Sequence, residues 1–308
     1  MAVPFTIFRE NPGAFGGTEY MVRSFRDKVL PYVPQLENYL CLVLPGHGID
    51  LDLGTLKNTK IILWLHNTFN QFNPAVKETF SKKEVVSNIE YIVAVSEYHK
   101  SVLLTEIDID KDKIVVIPNA IDPVIPTPHK FESVNKPKLI HASSSDRGME
   151  TLLRSLKYID VDFELNIFNN FNPDLSSANP RLLSDKRINF YGKTPKKTVM
   201  KHFANSHIHA YPSTFPETSC LTQMEALSAG CFSVHTDLGA LPETSLGYGT
   251  AIPFSELTPE RYAQEITKAI NEIKTNGFDY KKQSKEISER YSWDVAKQNW
   301  INFAERLP

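Results

Sequence analysis

Short apolar runs alternate with stretches of helical period over nearly the whole chain, which argues for parallel sheets covered by helices. In the first half the strand candidates are Phe5–Phe8, Tyr39–Leu44, Ile61–His66, Tyr91–Val95 and Ile114–Ile117. Helical stretches at Thr18–Leu30, Ala75–Ser87 and Glu97–Thr105 fall between them. A proline-rich, unpatterned stretch from Pro123 to Pro137 then reads as a linker. The pattern restarts with strands at Lys138–Ala142, Phe163–Phe168, Ile188–Tyr191, His207–Pro212, Cys231–His235 and Thr250–Ile252. Its helices are Gly148–Tyr158, Lys196–Asn205, Ser219–Ala229 and Pro259–Thr275, followed by a helical tail, Tyr280–Arg306. The expected fold is α/β, with two doubly wound domains and a ligand cleft between the carboxyl ends of both sheets.

Composition narrows the function classes. The chain has 308 residues, 41% of them hydrophobic, enough for two domains with cores of their own. A net charge of -2 gives no sign of phosphate-backbone binding, so nucleic acid is not an expected partner. Cys41, Cys220 and Cys231 are scattered and odd in number, which fits a reducing compartment and neither a disulfide framework nor a metal-ligand spacing. The N-terminal residues lack a basic region, a long apolar stretch and a small-residue cleavage site. No run approaches the ~18 apolar residues of a spanning helix. The expectation is a soluble cytoplasmic protein, with peripheral contact at a membrane surface left open.

The stretch Pro216-Glu217-Thr218-Ser219-Cys220-Leu221 through Glu225 to Gly230 carries the most chemistry. A helix beginning near Thr218 would aim its unpaired backbone N–H groups and its dipole at the preceding loop, a setting for a diphosphate. Glu217 would stand at the mouth of that pocket and Glu225 two turns deeper. A glycosidase pair is the other reading of two such carboxylates. Eight helical residues rise roughly 12 Å, whereas hydrolase carboxylates stand roughly 5–9.5 Å apart. The spacing suits two ends of one long, anionic, hydroxyl-rich ligand, and a nucleotide sugar is one.

Three further groups stand at strand ends. Gly16-Gly17-Thr18-Glu19 opens the first helix; it is either a plain turn or a close backbone approach to ligand, with Thr18 able to cap. His66 ends an apolar run and, with Asn67, could bond a sugar hydroxyl or a phosphate, or simply mark the strand's exit. Ser143-Ser144-Ser145-Asp146-Arg147-Gly148 offers hydroxyls and a bidentate cation to phosphate, or caps a helix with Arg147 solvated. The Asp-x-Asp pairs Asp50/Asp52, Asp108/Asp110 and Asp160/Asp162 read as surface turns, so neither a catalytic metal nor another cofactor is expected.

Together these residues resemble the retaining glycosyltransferases of GT-B fold, family GT4. The resemblance is most specific from Glu217 through Gly230 and on to Val234, Thr236-Asp237-Leu238-Gly239 and Leu241-Pro242-Glu243. Gly16-Gly17, His66, Val95-Ser96-Glu97, Ile117 through Asp122, Tyr191-Gly192 and Tyr211-Pro212-Ser213 support it. It implies an acceptor domain at 1–122, a linker at 123–136, a donor domain at 137–292 and a C-terminal helix, 293–308, packed back on the first domain. Glu217, His66 and Arg147 take the catalytic roles. Gly17, Ser143, Ser144, Gly192, Thr218, Ser219, Cys220, Leu221 and Glu225 bind the donor, Glu225 at the ribose hydroxyls. Where many members carry an arginine and a lysine on the diphosphate, this chain has Ala142 and Arg147, a Ser-Ser-Asp-Arg-Gly variant.

The resemblance thus implies metal-free transfer of a hexose-type sugar from a nucleoside diphosphate sugar to a glycan, lipid-linked or other hydroxyl acceptor, with retained configuration. Arg23, Arg26 and Lys28 could touch anionic headgroups, or form an ordinary solvated face. The competing readings are a nucleotide-sugar epimerase on the same fold and a non-catalytic nucleotide-sugar-binding protein.

Overall fold

The computed structural model describes residues 6–7, 16–44, 59–132, 134–168, 185–275 and 278–308. The first half runs β1 (Thr6–Ile7), α1 (Gly17–Lys28), β2 (Leu40–Val43), β3 (Ile61–Trp64), α2 (Pro74–Ser81), α3 (Lys83–Val86), β4 (Ile89–Ala94), α4 (Glu97–Glu106) and β5 (Ile114–Val116). These strands pair in parallel, in the order β1-β2-β3-β4-β5. Of the expected strand Phe5–Phe8, only Thr6–Ile7 falls among the described residues, and Asp50 and Asp52 lie outside them.

The apolar run of β3 is buried on both faces, as a central parallel strand should be. Ile61 and Leu63 join Phe69, Phe72 and Phe80 in one cluster. Trp64 serves the other face, 5.3 Å from Phe25 of α1 and 5.2 Å from Trp300, ring centre to ring centre.

The second half runs β6 (Lys138–His141), α5 (Met149–Ser155), β7 (Glu164–Ile167), β8 (Ile188–Phe190), α6 (Lys196–Asn205), β9 (Ile208–Tyr211), α7 (Leu221–Ser228), β10 (Phe232–Thr236), α8 (Leu241–Ser245), β11 (Thr250–Ile252), α9 (Pro259–Thr275) and α10 (Tyr280–Arg290). Its parallel sheet has the order β11-β10-β9-β6-β7-β8. Strand order therefore reverses between β6 and β9, the switch point of a doubly wound sheet. One face is covered by α5 and α9, through Leu152, Leu153, Tyr262 and Ile266. Phe203 of α6 and Ala226 of α7 lie in the cluster built around Ile140 and Cys231.

The last helix, α11 (Trp293–Ala304), groups with the first unit, which comprises Met1–Ala120 and Tyr291–Pro308; the second unit is Ile121–Arg290. Trp300 packs edge-on to Phe25 at 4.9 Å, and Tyr39 Oη donates to the Pro308 carbonyl at 3.1 Å.

The stretch 123–136, expected as a linker, is instead docked on the second unit. Val124 N–H donates to Ser228 Oγ at 3.0 Å, and Lys130 Nζ reaches the carbonyls of Ser206 and Ala229 at 2.7 and 2.6 Å. Those carbonyls follow α6 and α7, so one buried ammonium satisfies two helix C-termini. Proline content identified a segment without regular structure but not what would hold it. Among the described residues, no helix is long and apolar enough to cross a membrane.

Candidate functional site

Ligands of open α/β sheets bind outside the carboxyl ends of the strands at a switch point. In the second unit, that place is framed by the segments leaving β6 and β9. The first carries Ser143, Ser144 and Arg147; the second leads from Tyr211, the last residue of β9, through Glu217 to the start of α7. Gly148, at φ +81°, lets the two segments close on each other: a Cβ there would fall 1.7 Å from the Pro212 carbonyl oxygen. Thr222 Oγ1 adds a 3.0 Å bond to the Ala142 carbonyl.

Arg147 and Glu217 meet at this point. Arg147 Nε donates to Glu217 Oε1 at 3.2 Å, and Tyr211 Oη donates to the same oxygen at 2.7 Å. Ser143 Oγ stands 3.3 Å from Tyr211 Oη. Because the phenol proton goes to Glu217, the serine hydroxyl is the donor in that contact. The Arg147 guanidinium also lies over the Phe215 ring, 3.7 Å from its centre, and pairs with Asp146, which takes the Ser144 hydroxyl as well. Burial works against the Arg147 charge, but Glu217 and Asp146 outweigh it and hold its proton more firmly than usual. Burial pushes the Tyr211 phenol and the Cys220 thiol well up, with Glu217 adding to both, so each stays protonated at neutral pH.

The helix expected from Thr218 starts at Leu221, with Cys220 extended at φ -90°, ψ 94°. The preceding backbone is engaged elsewhere. Glu217 forms a parallel bridge with Gly239, and its carbonyl accepts the Ala240 N–H at 2.8 Å. Gly239 makes this contact possible, since a Cβ there would lie 2.6 Å from the Glu217 carbonyl oxygen. Residues committed to a strand-like bridge cannot also enter the helix. Thr218 and Ser219 thus form an irregular lip, and the first-turn N–H groups of α7 begin behind it.

Glu225 lies on α7, buried, and its Oε1 pairs with Lys196 Nζ of α6 at 2.5 Å. Gly192 follows β8 at φ +64°, beside Tyr191, whose ring stacks on Phe168 at 4.5 Å.

Gly17 and His66 belong to the first unit. Gly16 is the N-cap of α1, without a side-chain bond, and Thr18 lies inside the helix, so Thr18 does not cap. His66 is buried against Trp64, 4.7 Å between ring centres, and burial, helped by His99, pushes it down to about 3. The remaining Asp-x-Asp pairs do local work: Asp110 accepts the Asp112 N–H, and Asp162 pairs with Lys136.

Sequence reasoning missed Tyr211 as the second donor to Glu217, Phe215 beneath Arg147, and Lys196 opposite Glu225. Tyr211 was accessible in principle, because it ends a strand at the switch point. Nothing in the spacing pairs Lys196 with Glu225.

Residues 175–289 match the model of the family Glycosyl transferases group 1. The chain is 23% identical over 231 residues to a phosphatidylinositol N-acetylglucosaminyltransferase subunit of Arabidopsis thaliana, covering 72% of this chain and 51% of that protein. It spans about half the length of the curated relatives it matches. Among solved structures, it resembles Anabaena Alr3699/HepE in complex with UDP and glucose, at TM-score 0.68 and 16% identity over 80% of this chain and 72% of that one. A glycosyltransferase from Rickettsia africae aligns at TM-score 0.62 and 21% identity, over 80% and 70% of the two chains. The fold, mixed α/β with two parallel sheets, thus matches that of GT-B glycosyltransferase structures, and the segment matching Glycosyl transferases group 1 falls within the unit that holds the Arg147–Glu217–Tyr211 cluster.

Proposed function

We propose that this protein is a retaining glycosyltransferase that takes a hexose-type sugar from a nucleoside diphosphate donor. The observation that carries the proposal is the Arg147–Glu217–Tyr211 cluster, set at the switch point of the second sheet and followed by the start of α7. The diphosphate is assigned to Arg147, the Ser143 and Ser144 hydroxyls and the first-turn N–H groups beyond Thr218, Ser219, Cys220 and Leu221. Glu217 is assigned to the hydroxyls of the transferred sugar and Glu225 to the ribose, with the base resting near Gly192. Charge developing on the leaving diphosphate is met by Arg147 and the helix start, so the proposed chemistry calls for no metal. Retention follows if the acceptor attacks from the leaving-group side and the departing phosphate takes its proton. No protein base is assigned.

For His66 of the first unit we propose contact with a substrate hydroxyl. As a neutral imidazole, it offers one donor and one acceptor rather than a charge. Gly17 is assigned to a close backbone approach by substrate. A uridine donor and a lipid-linked acceptor are the favoured classes, because HepE is seen with UDP and glucose and the Arabidopsis relative is named for N-acetylglucosaminyl transfer to phosphatidylinositol. The deciding experiment is a thermal-shift screen of nucleoside diphosphates and their sugars, followed by product analysis with the best donor. Stabilisation by a nucleotide sugar with transfer to an acceptor is the expected outcome. A changed free sugar nucleotide without transfer would instead indicate an epimerase.

A further inference from the structure

We infer that Lys196 is a positioning residue for the donor, keeping the Glu225 carboxylate charged and fixed at the buried end of the site. This rests on the reading of Glu225 as the group that receives the ribose hydroxyls. Only 8% of the Glu225 side chain is exposed, and Lys196 Nζ lies 2.5 Å from its Oε1. The contact joins α6 to α7, so it is a tertiary feature rather than a local helix pair.

A buried carboxyl favours its neutral form unless a cation answers it. The elements packed on α7 include α6, α8, α10 and the segment carrying Val124. From these surroundings, two charged groups act on Glu225. Burial is the largest influence and leaves its proton affinity raised overall; Lys196 limits that rise, and Asp122 adds to it. Without Lys196, both remaining influences therefore point toward the neutral acid. That change matters for a vicinal diol. A carboxylate can accept from both hydroxyls at once, whereas a neutral carboxyl gives up part of its acceptor capacity to carry a proton. Lys196 is 42% exposed, so replacing it removes the charge without hollowing the core.

The test is calorimetric titration of the full chain with UDP from about pH 5.5 to 8.5, where an unshifted carboxylate would stay ionised. The proteins compared are wild type, Lys196→Met, Lys196→Arg and Glu225→Gln. Wild type and Lys196→Arg should share one pH profile, shaped by the titration of UDP and of a Glu225 already raised by burial. Lys196→Met should lose affinity on the acid side, about tenfold near pH 6, and approach wild type as pH rises. Glu225→Gln should bind weakly throughout, with a profile shaped by UDP alone. A Lys196→Met profile parallel to wild type would overturn the inference while leaving the ribose assignment standing. Wild-type affinity in Glu225→Gln would overturn the ribose assignment and, with it, the role of Lys196.

Discussion

Glu217 receives Arg147 and Tyr211 at the same oxygen, Oε1, and under the proposed function this asymmetry leaves Oε2 for the transferred sugar. Replacing Glu217 with glutamine should therefore cut turnover about 100-fold, the scale of losing one preorganised polar contact at a reacting centre. Nucleoside diphosphate affinity should stay within a few fold. Steady-state kinetics beside calorimetry would separate the two, and unchanged turnover in a folded variant would remove Glu217 from the site. Tyr211→Phe tests the orientation itself. A buried hydrogen bond to a charged group contributes about 1.5–3 kcal/mol, so this variant should turn over roughly tenfold or more slowly with donor affinity nearly intact. Metal dependence belongs at this scale too, because Arg147 is the group proposed to take the leaving charge. EDTA should leave the rate unchanged, and loss of rate with recovery on adding magnesium would refute that assignment. Glu217 and Arg147 were legible in the sequence because each sits in a motif beside a strand end. Tyr211 was visible as part of such a motif, but its contact with Glu217 depends on how two loops fold back on each other.

Elements were easier to read than their ends. The long, strongly periodic helices α6 and α9 coincide with the expected spans, and the strands agree to within a residue or two. Two boundaries differ, one of them for an identifiable reason. The helix expected at Ala75–Ser87 breaks into α2 and α3 at Lys82, which is extended at φ -70°, ψ 124°, although no glycine or proline marks the place. The start of α7 is delayed by the Glu217–Gly239 bridge, a partner supplied from beyond β10. Gly148 and Gly239 are the joints of this arrangement, and both have positive φ. Gly148→Ala should be the costlier change, because its Cβ would fall 1.7 Å from the Pro212 carbonyl oxygen, whereas a Cβ at Gly239 would lie 2.6 Å from that of Glu217. Left-handed strain alone is about 1–3 kcal/mol, so a thermal melt should show a fall of several degrees. Retention of the wild-type melting temperature would mean that the two loops do not close as described.

For the whole molecule, acid should act through buried neutral imidazoles. Burial holds His141, His207 and His235 at about 4 in the second unit and His99 at about 4 in the first, against 6.5 when unburied. Between those values the unfolded chain binds more protons than the folded one, so stability rises with pH across that interval. It is fully present above about pH 6.5 and drains away toward pH 4. Melting temperature should accordingly fall steeply between about pH 6.5 and 4, and a flat curve there would contradict the burial of these rings. The two-sheet plan was legible from strand and helix alternation. The docking of 123–136 was not, because it depends on Lys130 finding two helix ends that lie far along the chain.

The return of α11 to the first unit has a consequence for biosynthesis. Phe25 and Trp64 leave the ribosome long before Trp300, the ring that completes their stack, has been made. All of 121–290 is translated in between, so the later-encoded unit has its full sequence while the earlier one still waits for its closing piece. During that interval the Phe25–Trp64 face lacks the ring that packs on it in the folded unit.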